Sequence, residues 1–209
     1  MYKNSNLGHA IDQNLLNVPA PSNDMSSDGK YYLYVFVADD AFQMKEYMLK
    51  PYPRSERDIE KRVFDYRLSR VRCVIENSFG ILAARFRIFR RPINAQVETV
   101  CRITKAAVAL HNYLMKSQCI FGEYTYSPPG FVDQDDFGEE RKGEWRAETT
   151  GYTGMVSATN LGTNNYSRAA KEVRDSFKRY FSSNEGMVSW QLDYVTRTMN
   201  PFDDVDVSS

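Results

Sequence analysis

The chain has 209 residues, 42% apolar and 26% charged, which suits one soluble domain of ordinary size with tails. Its formal net charge is zero, yet residues 1–118 carry 18 Lys/Arg against 12 Asp/Glu, while residues 119–209 carry 9 against 15. Three well-separated cysteines, Cys73, Cys101 and Cys119, argue against a disulfide framework and a zinc site; no apolar run approaches the roughly 18 residues of a membrane span, and no apolar stretch follows Met1 to make a signal peptide.

The sequence therefore reads as intracellular and soluble, with no membrane partner. Residues 1–30 read as a mostly irregular connector, with a loop cluster from Pro19 to Gly29. The short apolar segment from Ile11 to Val18 has room for a helical turn or two. Residues 31–38, Tyr-Tyr-Leu-Tyr-Val-Phe-Val-Ala, are aromatic and β-branched and predict a strand buried on both faces of an α/β sheet. The run stops at Asp39-Asp40, at the strand end where α/β sheets usually carry their chemistry. Residues 41–50 predict a short helix with Phe42, Met44, Tyr47 and Met48 on its apolar side, ended by Pro51 and Pro53.

A long helix follows from about Ser55 to Phe79, with Ser55 and Asp58 as its start signal and a continuation toward Phe89. Gly80 is expected to kink or break it. Between Arg54 and Arg91 there are 11 Lys/Arg against 5 Asp/Glu, so the positive excess of the body lies here. Pro92 separates this helix from another, about Val97 to Met115. Gly122 and Pro128-Pro129 close the folded part, residues 31–118. Residues 119–165, rich in Gly, Asp, Glu, Thr, Ser and Asn, read as a disordered linker. Residues 166–182 regain helical spacing through Val173, Phe177 and Tyr180 or Phe181, with Ser167 as a cap, and read as an isolated helix. Residues 183–209 read as an acidic tail ending in Asp203-Asp204-Val205-Asp206.

Two carboxylates stand out. Asp39 ends the aromatic strand. Glu76 sits alone among arginines and apolar residues, on what is expected to be the inner side of the helix, where an unpaired charge is costly. Converging carboxylates can hold Mg²⁺ or Mn²⁺, which prefer hard oxygen ligands. The plainer reading pairs Glu76 with Arg72, one helical turn back.

The stretch Phe36-Val37-Ala38-Asp39-Asp40-Ala41-Phe42, then Met48-Leu49-Lys50-Pro51-Tyr52-Pro53, resembles a block of Harbinger-type DDE-superfamily transposases and their domesticated nuclease relatives. Phe64-Asp65-Tyr66-Arg67-Leu68-Ser69-Arg70 resembles the next block, and Val74-Ile75-Glu76-Asn77-Ser78-Phe79-Gly80 through Phe89 the one after it. Ala109-Leu110-His111-Asn112-Tyr113-Leu114 resembles the last, so the likeness covers about residues 30–116 in the right order. It implies an α/β fold, here a partial RNase H-like fold made of the C-terminal strand and helices, followed by a largely disordered acidic C-terminal tail. It also implies a site of three acids binding two divalent metals. The second acid falls on Asp39, with Ala38 in place of the usual glycine, and the third on Glu76, 37 positions later. Asp40 is given no ligand role, since adjacent strand side chains point to opposite faces.

The family's first acid lies on an earlier strand, before a connector that Leu7 to Pro21 resembles. Asp12, Asp24 and Asp28 lie in polar or loop sequence and do not replace it. The expectation is therefore a two-metal DDE endonuclease fragment acting on DNA phosphodiesters, catalytically incomplete by itself, with nuclear localisation. Arg67, Arg70, Arg85, Arg87, Arg90 and Arg91 suit contacts to DNA phosphates, the group Arg85, Arg87, Arg90 and Arg91 best. His111 and Asn112 read as structural. No sequence-reading DNA motif is present; in the family that role falls upstream or to a Myb-like DNA-binding partner protein. The competing readings are a domesticated, non-enzymatic DNA- or protein-binding module and a transposon remnant without function.

Overall fold

The computed structural model describes residues 6–13, 15–20, 32–39, 42–53, 58–122, 125–151 and 165–197. Asp24, Asp28, Asp40, Ser55 and the final acidic run therefore lie outside the described residues. The chain divides into two compact units, Met1–Ser69 with Ala158–Ser209, and Arg70–Ser157.

In the first unit, α1 (Asn6–Asp12) precedes β1 (Phe36–Val37), which pairs in parallel with β2 (Met48–Leu49). The expected strand over 31–38 is thus much shorter, and it alternates instead of burying both faces. Val35 and Val37 pack toward the core, while Tyr34 and Phe36 are exposed. Among the described residues β1 has one neighbouring strand and a core on one side, which produces that alternation. Of the helix expected over 41–50, the described residues 42–50 form none. Lys45 and Met48 close a tight turn through reciprocal backbone bonds of 3.1 and 3.0 Å, which sends Met48–Leu49 alongside β1. Pairing with the β1 backbone overrides the helical spacing of these residues.

The long helix α2 runs from Ile59 to Arg85. Its start is held by Asp58, whose carboxylate accepts the Lys61 N–H at 2.8 Å, an N-cap contact. The helix passes straight through Gly80. Its first turns bury Val63, Phe64, Tyr66 and Leu68. Phe64 and Leu68 join Tyr32, Leu49, Tyr52 and Phe177 in the main core of this unit. Each such side chain contributes about 1.5–3 kcal/mol by leaving water.

Phe177 belongs to α5 (Arg168–Ser182), so the helix expected to be isolated is a core element. Ser167 caps it, accepting the Ala170 N–H at 3.0 Å. Lys178 pairs with Glu60 at 2.6 Å, and Tyr52 donates to Asp175 at 2.5 Å. Within the expected tail, α6 (Gln191–Arg197) seats Val195 against Val63 and Tyr66.

The second unit holds the rest of α2, a 3-10 turn at Arg87–Arg90, and α3 (Val97–Phe121). The latter helix continues past Met115 and stops at Gly122, whose φ of 69° suits a residue without a Cβ. The chain then folds again. β3 (Gln134–Asp136) and β4 (Glu139–Arg141) form an antiparallel hairpin, followed by the single-turn α4 (Trp145–Glu148). This hook, residues 125–151, replaces part of the expected disordered linker. It packs Phe131, Val132, Tyr126 and Trp145 against Ile81, Ala84 and Met115. Among the described residues no helix is long and apolar enough to cross a membrane.

Candidate metal-binding acids and their surroundings

Asp39 belongs to the first unit and Glu76 to the second. Asp39 is positioned by the β1–β2 ladder, in which the N–H groups of Phe36 and Ala38 donate to Tyr47 and Leu49 carbonyls at 2.8 and 2.9 Å. It follows directly at the C-terminal end of that parallel pair. It is half-buried, and its carbonyl accepts the Phe42 N–H at 3.3 Å.

Glu76 is not on an inner face, contrary to the expectation. Its side chain is 46% exposed and pairs with Arg72 at 3.0 Å, one turn back. The packed side of this turn carries Asn77, Gly80, Ile81 and Ala84 instead, because those are the positions the hook covers. Among the described residues no group of three or more His, Cys, Asp or Glu is gathered to hold a metal.

Asn77 is the junction of this region. Its amide nitrogen donates to the Asp133 carbonyl at 2.9 Å, and its oxygen accepts the Asp133 N–H and the Trp145 indole N–H, each at 2.9 Å. One planar amide thus reproduces a strand-like pairing with the hook and fixes an aromatic ring. Gly80 lies one turn further on, where an added Cβ would come within 2.3 Å of the Trp145 ring. Asp133 in turn accepts the Gly143 N–H at 2.7 Å and a forked contact from Arg146 at 2.9 and 2.5 Å. Burial pushes the Asp133 carboxyl up, but these donors outweigh it and hold the group below its ordinary value.

The arginines expected on DNA divide into two kinds. Arg85 donates to the Tyr126 carbonyl at 2.7 Å, lies 4.1 Å from the Phe131 ring centre and pairs with Glu148 at 3.8 Å. Arg90 donates to the Ala83 and Ala84 carbonyls at 3.2 and 2.7 Å, closing the C-terminal end of α2. Both are fold-making contacts inside the unit. Arg87 and Arg91 are exposed. Arg70 pairs with Asp135 at 3.1 Å, and Arg67 donates to the Gly186 carbonyl at 3.0 Å.

His111 meets the Tyr126 hydroxyl at 2.9 Å, and burial lowers its pKa. It serves packing, as its position in the sequence suggests. Asp12, at the end of α1, accepts from Lys45 at 2.6 Å and from the Tyr47 hydroxyl. Burial, aided by the Asp12 contact, pushes the Tyr47 hydroxyl up to about 12. Asn77, Asp133, Trp145 and Arg146 escape sequence reasoning as a group. The one signal is Gly80 persisting inside a helix, which marks a close approach by another group.

A strand-end carboxylate, an acid-asparagine pair on a long basic helix and a histidine-asparagine pair on the next helix occur here in one chain order. The chain matches the family model for the DDE superfamily endonuclease over residues 2–112, more than half its length, and it belongs to that family. It matches no curated protein and no solved structure.

Proposed function

We propose that the chain is part of a Harbinger-type, transposase-derived DDE endonuclease of RNase H-like architecture, acting on DNA phosphodiesters in the nucleus. Asp39 and Glu76 serve as metal-ligating acids for Mg²⁺ or Mn²⁺. The observation that carries this reading is the family match, which spans both acids. The donor chemistry fits, since both are carboxylates of the hard-oxygen type these ions prefer. Glu76 is accessible, and its exposed i,i+4 pair with Arg72 holds it by only about 0.3–0.5 kcal/mol. A cation competes easily with such a contact. Bound ions of this kind supply an activated nucleophile and stabilise the leaving oxygen. Arg85 and Arg90 are committed inside their unit, so phosphate contact falls to Arg87 and Arg91.

Two-metal cleavage needs a bridging acid besides Asp39 and Glu76. Asp12, the early acid among the described residues, is engaged by Lys45 and Tyr47. The test is calorimetric titration of Mn²⁺ into the 209-residue chain and its Asp39→Asn and Glu76→Gln variants. The expected result is weak Mn²⁺ binding that each change lowers by at least about tenfold, the scale that even outer partners of a metal show. Supercoiled plasmid should remain intact. Variants that bind Mn²⁺ as the parent does contradict the ligand assignment. Mg²⁺-dependent nicking that Asp39→Asn abolishes contradicts only the incompleteness.

A further inference from the structure

The side of α3 turned away from the hook carries a second inference, which rests on the reading above in taking DNA as the partner. The packed side of this helix holds Ala107, His111, Met115 and Gln118, the last three against Tyr126, Phe131 and Ser127 of the hook. At 3.6 residues per turn, positions 102, 105, 109, 112 and 116 recur on the opposite side. They hold Arg102, Lys105, Ala109, Asn112 and Lys116, all exposed. Asn112, expected to be structural, makes no hydrogen bond among the described residues, and the three cations make no ion pair there. In the same unit Arg70, Arg72, Arg85, Arg90 and Arg146 all find carboxylates. Residues 99–121 supply none, since they contain three Lys/Arg and no Asp or Glu. A merely solvated face intersperses both signs, whereas a stripe of one sign attracts a polyanion.

We propose that this stripe binds the phosphates of duplex DNA, with α3 laid across the major groove. Lys105 and Lys116 lie ~16 Å apart along the helix axis, at 1.5 Å per residue. The major groove is about 12 Å wide and the minor groove about 6 Å. That spacing sets one lysine on each wall of the wider groove, with Arg102 beside Lys105. Ala109, small and midway, lets the helix backbone approach. Asn112 reaches into the groove as a hydrogen-bonding side chain. Phosphate contacts of this kind fix the duplex in place without reading its sequence. The stripe thus adds a positioning surface to Arg87 and Arg91. The family match favours nucleic acid over an acidic protein as the polyanion.

The test is fluorescence anisotropy of a short labelled DNA duplex with the 209-residue chain in EDTA, over a series of salt concentrations. Without a divalent ion the result is separate from the assignment of Asp39 and Glu76. The parent is expected to bind, with log affinity falling linearly with log salt. Arg102→Gln, Lys105→Gln and Lys116→Gln should each reduce that slope by about 1. Circular dichroism should be unchanged, because each side chain is exposed. Asn112→Ala should weaken binding about threefold to tenfold at unchanged slope, since an uncharged group releases no counterion. Lys171→Gln, which alters an exposed lysine of the other unit, should change neither quantity. A slope that the three α3 changes together leave as it was overturns the proposal; if Arg87→Gln with Arg91→Gln still lowers it, the DNA reading survives. A fall with Lys171→Gln as large as with Lys105→Gln also overturns the site, since binding then follows overall charge. A parent that binds no duplex overturns the stripe and the DNA reading together. One that retains polyglutamate instead overturns the proposal and gives the stripe to an acidic protein.

Discussion

Glu76 and Asn77 are neighbours on one turn of α2, yet their surroundings differ. Glu76 faces solvent and touches Arg72, whereas Asn77 is half-buried and binds the hook at three points. The acid is the residue on which a metal reading rests, and the amide beside it is the residue that ties the hook to the helix. Within this turn, resistance to change and capacity for chemistry are carried by different side chains.

That contrast is open to mutation. The largest effect is expected from Asn77→Ala, which leaves the Trp145 indole N–H and both backbone groups of Asp133 without their partner. Each unpaired group costs about 1–3 kcal/mol when buried, and partial exposure here keeps the total near the low end, about 2–3 kcal/mol. Hydrogen exchange over residues 125–151 should report it as lost protection. A smaller loss, up to about 2 kcal/mol in thermal or denaturant melts, is expected from Gly80→Ala. The new methyl group overpacks against Trp145 at about 1–3 kcal/mol, offset by the roughly 1 kcal/mol that a helical glycine costs. Adding Trp145→Ala should remove the overpacking part, so a double variant that shows no coupling breaks this account of Gly80. The smallest effect belongs to Glu76→Gln, about 0.3–0.5 kcal/mol, as for any exposed i,i+4 pair. A loss as large as that of Asn77→Ala would erase the distinction between the two positions.

The long helices were legible in the sequence because their packing repeats every three or four residues, and the family blocks fall on them. Gly80 misled: glycine read as a breaker is here the space that admits an indole ring. The hook was illegible for two reasons. Its turn is Phe137-Gly138, with φ of 52° and 88°, and phenylalanine is not a residue that announces a type I′ hairpin. Its few apolar residues, Phe131 and Trp145 among them, find their partners on Ile81 and Ala84, about fifty positions back. The α5 contact is longer still, since Phe177 meets Tyr32 across 145 positions with ring centres 5.4 Å apart. The segment over 31–38 showed its composition plainly, but its single paired edge depends on β2, which the helical spacing of 41–50 concealed. Of the candidate site, the two acids could be named from the motif. That Glu76 faces solvent could not, because the residues that cover the other face of its helix lie in sequence that resembles a linker.

The proposed function stands or falls on whether Asp39 and Glu76 are cation ligands. Sub-stoichiometric Mn²⁺ added to the isotope-labelled chain broadens the amide signals of residues close to the ion. The account predicts broadening centred on Ala38–Asp39 and on Ile75–Asn77, abolished at the first by Asp39→Asn and at the second by Glu76→Gln. Broadening at either acid that persists when that acid is changed, or none near either, would contradict it.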